Sequence, residues 1–449
     1  MYFKGQKFLV AGISRSGESS ARFLLARGAA VYLYDDVIAD NVRKIIDELV
    51  GLGAVEVTAQ NFEDCVQLCD ILILSPGIPI DNALPVSFRR MGKLIIGEEE
   101  LAAQYLRATA IAVTGTNGKT TTVSMINKML TDCGKNSVAC GNIGEPTLNV
   151  VEKLGFDDFA VIEISSFQLE TLSGLRPHIA VITNITEDHL DRHYNMENYI
   201  FLKSKLVRNL RQSEYAVLNY DDERVRSFSS LTKARVVYFS AKHKTEGVYI
   251  DDGTVCYAGQ KFFSVDDMSL GGEHNLYNAL ACVAVAAILG LDRDEITKSV
   301  CSFKGVKHRI EKVGSCNGVI YINDSKGTNV DATLKAVDSM PAHTVLLLGG
   351  KDKGYDYEPL FEGLKQSRVI HVVMYGENRY KLLSAALQCG FFSFSLCQRM
   401  NEAVMLAKCY ARSGQCVLLS PASSSFDEFK NYEERGEQFE RIVKGFSDE

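Results

Sequence analysis

Short runs of uninterrupted apolar residues recur along this chain, and amphipathic stretches separate them. Near the N-terminus the runs are "KFLVAGI" (7–13), "AVYLYD" (30–35), "DILILSPG" (70–77) and "KLIIG" (93–97), with helical patterns around 16–27 and 83–91. A run without polar interruption reads as a strand buried on both faces. Strands that alternate with helices run parallel, because each helix carries the chain back across the sheet. The rhythm returns in "TAIAVTG" (109–115), "FAVIEIS" (159–165), "IAVITNI" (179–185) and "YAVLNYD" (215–221), followed by a long apolar helix near 275–290 and another near 293–302. After "FKGVKHR" (303–309) come "GVIYIND" (318–324), "HTVLLLGG" (343–350), "VIHVVMYG" (369–376) and "QCVLLSPA" (415–422). The expectation is an α/β chain of three domains, 1–98, 99–305 and 306–449, joined by short hinges without repeats or low-complexity linkers.

Composition narrows the function. The net charge of −7 gives no basic footprint for nucleic acid, while leaving room for a local basic pocket that takes a small anion. The start, "MYFKGQKFLVAGI", lacks the long apolar stretch and small-residue cleavage site of a signal peptide. The longest apolar stretch, "ALACVAVAAILGL" (279–291), is too short to span a bilayer. Twelve cysteines without a CxxC pair read as reduced core residues. A cytoplasmic monomer with no transmembrane segment is expected.

The segment with the clearest chemistry is "VTGTNGKTTT" (113–122), which joins an apolar strand to a helical pattern. Gly115 and Gly118 lack Cβ atoms, so backbone N–H groups of this loop, which also holds Thr116 and Asn117 as candidate ATP-binding residues, can turn toward one anion. Lys119 adds a positive charge, the following helix adds its dipole, and the Thr120 hydroxyl suits a magnesium ion, with Thr121 beside it. This is a phosphate loop with a departure: Val113 stands where the usual pattern has its first glycine. Two acidic segments follow later strands. Glu163 lies near the end of one, and Glu187, Asp188 and His189 come just after another. In a parallel sheet those ends face the ligand crevice. Glu163 and His189 are the favoured metal ligands, because each follows a buried strand; most of the acidic run is read as solvated loop.

With "TGTNGKT", "EISSFQLE" and "NITEDHLDRH" in view, the sequence resembles the Mur ligases, ATP-dependent amide-bond formers of peptidoglycan synthesis. The likeness extends over essentially the whole chain, and the missing first glycine is that family's habit. It implies a Rossmann-like N-terminal domain, a central P-loop ATPase-like parallel-sheet domain and a Rossmann-like C-terminal domain. The C-terminal "LSPASSSFDEFKNYEERGEQF" and "INDSKGTN" resemble the branch that adds D-glutamate, and no Asp-Asn-Pro-Arg string of the diamino-acid branches is present. "GTN" stands for an expected "ATN", and Tyr432 for a common phenylalanine.

The resemblance implies three substrates, ATP, UDP-N-acetylmuramoyl-L-alanine and D-glutamate, together with two magnesium ions and a carbamate formed from carbon dioxide on Lys203. Asn275 and Asn278 in "GGEHNLYNAL" are implied near the adenine, and Arg309, Asp324 and Lys326 also on the nucleotide. Thr120, Glu163, His189 and Lys203 are implied at the metals. The UDP-sugar is expected on the first domain, at Ser14, Arg15, Ser16, Gly17, Asp35, Ser75, Pro76 and Gly77, with Asn142 and Ser165 reaching it from the second. D-Glutamate is expected at Thr328, Lys353, Ser425 and Tyr432, with Ser425 also a candidate cap for a following helix. Lys205 rivals Lys203, and Lys351 rivals Lys353. Domain closure is expected to exclude water from the acyl phosphate.

Three other readings account for less. "GISRSG" (12–17) followed by Asp35 would suit an NAD-dependent oxidoreductase, which leaves the phosphate loop unused. A folylpolyglutamate synthase would not carry such a first domain. A non-catalytic UDP-sugar binder would not need Lys119, Glu163 and His189 together.

Overall fold

A computed structural model describes residue 3 and residues 5–38, 40–58, 62–352 and 355–447. The chain forms two compact units, Met1–Lys304 and Gly305–Glu449. The first unit contains two sheets. Its smaller sheet has five parallel strands in the spatial order Val55–Glu56, Ala30–Tyr34, Lys7–Ala11, Ile71–Leu74, Leu94–Ile96. The chain works outward from Lys7–Ala11 on one side and then crosses to the other, which opens a crevice at the strand ends. Ala11 is level with both Tyr34 and Leu74, so the turns after these three strands converge there.

The larger sheet has nine strands, ordered Gln260–Ser264, Thr254–Tyr257, Val248–Asp251, Arg235–Ser240, Tyr215–Asn219, Ile179–Ile182, Thr109–Thr114, Phe159–Glu163, Ser137–Gly141. The pairs from Val248–Asp251 to Ser137–Gly141 are parallel, and the last two strands at the other edge are antiparallel. Thr109–Thr114 lies between Phe159–Glu163 and Ile179–Ile182, which explains why both acidic segments flank the phosphate loop. Helix Glu273–Ile288 is buried from Asn278 to Ala286 and packs on helix Lys119–Asp132 and on the sheet. Its apolar run therefore belongs to a core; no helix among the described residues is long and apolar enough to cross a membrane.

The second unit is a six-stranded sheet ordered Glu311–Cys316, Val319–Asn323, Cys416–Leu419, Thr344–Gly349, Val369–Tyr375, Phe394–Leu396, parallel except for the first pair. Eleven of the twelve strong apolar runs thus became interior strands of three sheets, and the twelfth, Leu94–Ile96, became an edge strand of the smallest. The strands absent from the sequence reading are short or lie toward sheet edges. Val55–Glu56 has two residues, and Glu311–Cys316 is partly exposed and carries charges. All twelve cysteines are free.

Candidate active site

The phosphate loop leaves Thr109–Thr114 and enters helix Lys119–Asp132, with Gly118 left-handed at φ 81°. Its glycines are sterically required. A Cβ on Gly115 would lie 1.9 Å from Thr183 Oγ1, and one on Gly118 would lie 2.4 Å from Asn278 Oδ1. Neighbouring side chains hold the loop open. Asn117 N donates to Asn184 Oδ1 at 2.9 Å, and Thr183 Oγ1 donates to Asn117 O at 2.7 Å. The Thr116 hydroxyl lies 3.1 Å from Tyr199 OH, and Thr122 Oγ1 donates to Asn278 Oδ1 at 3.1 Å. Asn278 and Asn275 are joined by a bond of 3.5 Å. Lys119 folds its ammonium onto the loop, donating to Gly115 O at 2.8 Å and Thr116 O at 2.7 Å. Thr121 is buried in the first turn of the helix.

Strand register brings Glu163 to the loop, because it pairs with Val113 on one side and Gly141 on the other. Thr120 Oγ1 donates to Glu163 Oε2 at 2.8 Å, and Asn142 Nδ2 donates to Glu163 Oε1 at 2.8 Å. A hydroxyl and a carboxylate are hard oxygen donors, and they fit a magnesium ion at the foot of the loop. Among the described residues no three His, Cys, Asp or Glu side chains gather as a metal site. A magnesium ion here would therefore take its other positions from phosphate oxygens and water, its usual habit.

Lys203, on helix Met196–Arg208, is 1% exposed and donates to Gly115 O at 2.8 Å. Burial, and then the Lys119 charge, pushes its ammonium well below the ordinary lysine range; Asp188 pulls weakly the other way. Lys205 points elsewhere, to the carbonyls of Leu169 and Glu170. His189 is exposed, left-handed at φ 52°, and caps the short helix Leu190–His193. Its ring packs on Phe167 at 4.8 Å and its Nε2 lies 3.5 Å from Asp188.

The smaller sheet supplies a second cluster. Gly12 is left-handed and touches Ser75 so closely that a Cβ would lie 2.6 Å from the serine Cβ. Gly17 has no room either, since its Cβ would meet Gly12 O at 2.0 Å. Ser14 Oγ lies 3.2 Å from Ser75 Oγ, and Ser14 precedes helix Arg15–Leu25, which contains Ser16. Arg15 donates to Gly144 O, in the same loop as Asn142. Pro76 and Gly77 complete a turn closed by Ile78 N on Ser75 O at 3.0 Å. The Asp35 carboxylate already accepts from Ile13 N at 2.6 Å and Val37 N at 3.1 Å, so it shapes the crevice as well as lining it. Ser165 forms a capping box with Gln168.

The second unit gathers its own candidates. Asp324 directly follows Val319–Asn323, is buried, and accepts from Ser420 Oγ at 2.6 Å; burial pushes its carboxyl up to about 6. Arg309 is exposed between two left-handed residues, His308 at φ 61° and the β-branched Ile310 at φ 46°. Such backbone is costly and concentrates at functional sites. Lys326 lies over the Tyr432 ring at 5.6 Å, and Thr328 N donates to Lys326 O at 2.9 Å. Ser425 is buried but does not cap a helix: the next helix is Tyr432–Lys444, and Asn431 caps it. Lys351 pairs with Glu377 at 3.0 Å. Lys353 lies outside the described residues.

Some site neighbours gave no sequence signal. Glu98 and Glu99 look like part of a solvated "EEE" run, yet they are 3% and 2% exposed, and one oxygen of each has no hydrogen-bond partner. Glu98 Oε1 accepts from Leu148 N at 2.6 Å, and Glu99 Oε1 from Gln168 Nε2 at 3.0 Å. Burial raises both carboxyls, Glu98 to about 7. A carboxyl with a higher pKa folded than unfolded carries an extra proton when folded, so stability falls as pH rises between the two values. For Glu98 that window runs from 4.5 to about 7. Glu99→Gln is expected to raise the Tm by roughly 5 °C at pH 8 and not at all near pH 4.5. Thermal melts at the two pH values check this; equal shifts at both would refute it.

Comparison with known proteins matches residues 113–286 to the Mur ligase middle domain and residues 308–423 to the Mur ligase glutamate ligase domain. The chain is 41% identical to the UDP-N-acetylmuramoylalanine--D-glutamate ligase of Pelotomaculum thermopropionicum, covering 98% of each chain. It is 38% identical to the enzyme of that description from Clostridioides difficile, covering 99% of each. Among solved structures it is similar to the UDP-N-acetylmuramate-alanine ligase of Thermotoga maritima, with a TM-score of 0.57 at 18% identity, covering 98% of this chain and 99% of that one.

Proposed function

This chain belongs to the Mur ligase family, and from that premise we propose that it joins D-glutamate to the carboxyl group of UDP-N-acetylmuramoyl-L-alanine with ATP, in peptidoglycan precursor synthesis. The observation that carries the reading is the phosphate loop with Lys119, Thr120 and Glu163 gathered on it, in a chain matched along its length to D-glutamate-adding relatives.

The chemistry is set by a poor leaving group. A carboxylate oxygen of the acceptor attacks the γ-phosphorus, the bond to the ADP oxygen breaks, and an acyl phosphate forms. The D-glutamate amine adds to the acyl carbon and loses a proton, and the tetrahedral species expels phosphate. The first step brings two anions together, so cationic neutralisation is the main demand. Lys119 swings from the carbonyls of Gly115 and Thr116 onto the phosphates. The N–H groups of Gly118, Thr120 and Thr121, at the start of the helix, hold the phosphates, while Gly115, Thr116 and Asn117 shape the loop around them, the N–H groups of Thr116 and Asn117 being taken by Asn184 O and Asn184 Oδ1 at 2.9 Å each.

Thr120 and Glu163 would hold one magnesium ion, and His189 with a carbamate on Lys203 a second, supplying further positive charge between the two anions. Asn275 and Asn278 hold the adenine, and Arg309, Asp324 and Lys326 also serve the nucleotide. The crevice of the smaller sheet takes the UDP-sugar through Ser14, Arg15, Ser16, Gly17, Asp35, Ser75, Pro76 and Gly77, with Asn142 and Ser165. Thr328, Lys353, Ser425 and Tyr432 take D-glutamate. Residues 1–98, 99–305 and 306–449 are the corresponding functional domains. The enzyme works as a cytoplasmic monomer and serves cell shape and division through its product.

Phosphate release from ATP with UDP-N-acetylmuramoyl-L-alanine tests the proposal. D-Glutamate is expected to drive it and L-glutamate to drive it less than about one tenth as well, since a mirror-image substrate leaves buried polar partners unpaired. Equal rates with both isomers would exclude the assignment.

A further inference from the structure

Arg192 sits where the two sheets of the first unit meet, and the reaction just described gives it no role. Its guanidinium faces four different groups. Nε donates to Glu170 Oε1 at 3.0 Å and Nη2 donates to Glu170 Oε2 at 2.6 Å, a planar fork on a carboxylate that is 6% exposed. The same Nη2 reaches back to the smaller sheet, donating to Ile78 O at 2.9 Å and Pro76 O at 3.4 Å. Its carbon lies 5.0 Å from the centre of the Phe167 ring, and that ring packs against His189 at 4.8 Å and His193 at 5.5 Å. Glu170 in turn lies 3.5 Å from His193 Nδ1, and His193 Nε2 lies 3.0 Å from Ser166 Oγ.

The segment that carries Arg192 is under tension at both ends. His189 at φ 52° opens the helix Leu190–His193 and Tyr194 at φ 69° closes it, both non-glycine residues in left-handed backbone. Tyr194 OH donates to Asp81, a second tie to the smaller sheet. Strained residues persist where their surroundings over-determine them. Here the determinants are the Glu170 fork, the Phe167 ring and the turn at Pro76–Ile78.

We propose that Arg192 is a positioning residue that couples occupancy of the Ser75–Ile78 turn to the placement of His189. The inference rests on the reading of that turn as part of the UDP-sugar site. A ligand seated on the turn fixes the carbonyls of Pro76 and Ile78. Those carbonyls fix the guanidinium, and the guanidinium fixes the four-residue helix whose first residue is preceded by His189. The sugar-nucleotide thereby orders His189 before its own carboxylate meets ATP. Lysine could keep the charge but not the fork, because it offers one point of attachment where four acceptors need a planar group.

Hydrogen exchange on the full-length protein tests this without relying on turnover. Adding UDP-N-acetylmuramoyl-L-alanine to the wild type is expected to slow exchange roughly fivefold or more both at 12–17 and 75–81 and, through Arg192, at 187–194. In Arg192→Lys the first protection should persist and the second should vanish, with kcat down roughly tenfold and the KM for ATP unchanged. If Arg192→Lys does not fold, Glu170→Gln, which loosens the fork at nearly constant volume, decides by the same two readouts. Protection confined to 12–17 and 75–81 in the wild type, or undiminished at 187–194 in a folded variant, overturns the coupling. Absence of protection at 12–17 and 75–81 would instead overturn the sugar-nucleotide site, and the inference with it.

Discussion

Replacing Lys119 by alanine is expected to slow ligation by roughly 10³-fold and to leave the fold intact. Both halves follow from its surroundings. The ammonium is half-buried and donates to the carbonyls of Gly115 and Thr116, at 2.8 and 2.7 Å. Truncation costs about 1 kcal/mol for such bonds, since water can replace the donor. The catalytic loss is far larger, because the charge is needed where a carboxylate and a triphosphate approach one another. Lys119→Arg is expected to recover little, since a planar guanidinium cannot put its charge where the compact ammonium donates to both Gly115 O and Thr116 O. Single-turnover phosphate release beside a thermal melt checks the prediction. A folded alanine variant within tenfold of the wild-type rate would remove the electrostatic account.

What could be read in advance was the local part of this site. Strand, Gly-x-x-Gly-Lys-Thr and helix are consecutive, so their meaning survives without tertiary structure. The flanking of the loop by Glu163 and by the segment after Ile179–Ile182 was legible in outline, because parallel strand ends share one edge. Their alignment was not, since the pairing of Val113 with Glu163, and of Glu163 with Gly141, depends on strand order. The choice of Lys203 over Lys205 rests on the family resemblance and the spacing to Tyr199, not on any local difference between the two lysines. Two lysines two residues apart on a helix look alike until packing sends one to Gly115 O and the other to Leu169 O.

The second unit shows the same limit. "INDSKGTN" marked the strand end that holds Asp324, but nothing local foretold the left-handed backbone of His308 and Ile310 on either side of Arg309. Ser425 before an apparent helical pattern looked like a cap, and the chain turns instead until Asn431. The burial of Glu98 and Glu99 left no local signal in the sequence. Consecutive acids are normally solvated, and only the tertiary contacts with Leu148 and Gln168 put them inside. Functional and strained positions are where local consistency is expected to break.

Depleting dissolved carbon dioxide and bicarbonate is expected to cost roughly 100-fold in activity, and restoring bicarbonate to return it. An ammonium on Lys203 would repel a divalent cation, so the residue must lose its proton before it can serve a metal. Its burial favours that loss, and Lys119 adds to the effect. The neutral nitrogen adds to the carbon of carbon dioxide, a proton leaves for water, and the carbamate gains two oxygens of the kind magnesium prefers. Because the pKa is depressed in the folded chain, the reactive amine is present at pH values where an exposed lysine is still charged. At fixed dissolved carbon dioxide the modification should therefore deepen as pH rises, and reverse as pH falls through that lowered value. Labelled bicarbonate should give a carbamate carbon signal in the wild type and in Lys205→Ala, whose nitrogen serves Leu169 and Glu170, but none in Lys203→Ala. A wild type indifferent to bicarbonate, or a Lys203→Ala variant with full activity, would leave the buried lysine as a strut for the Gly115 carbonyl and nothing more.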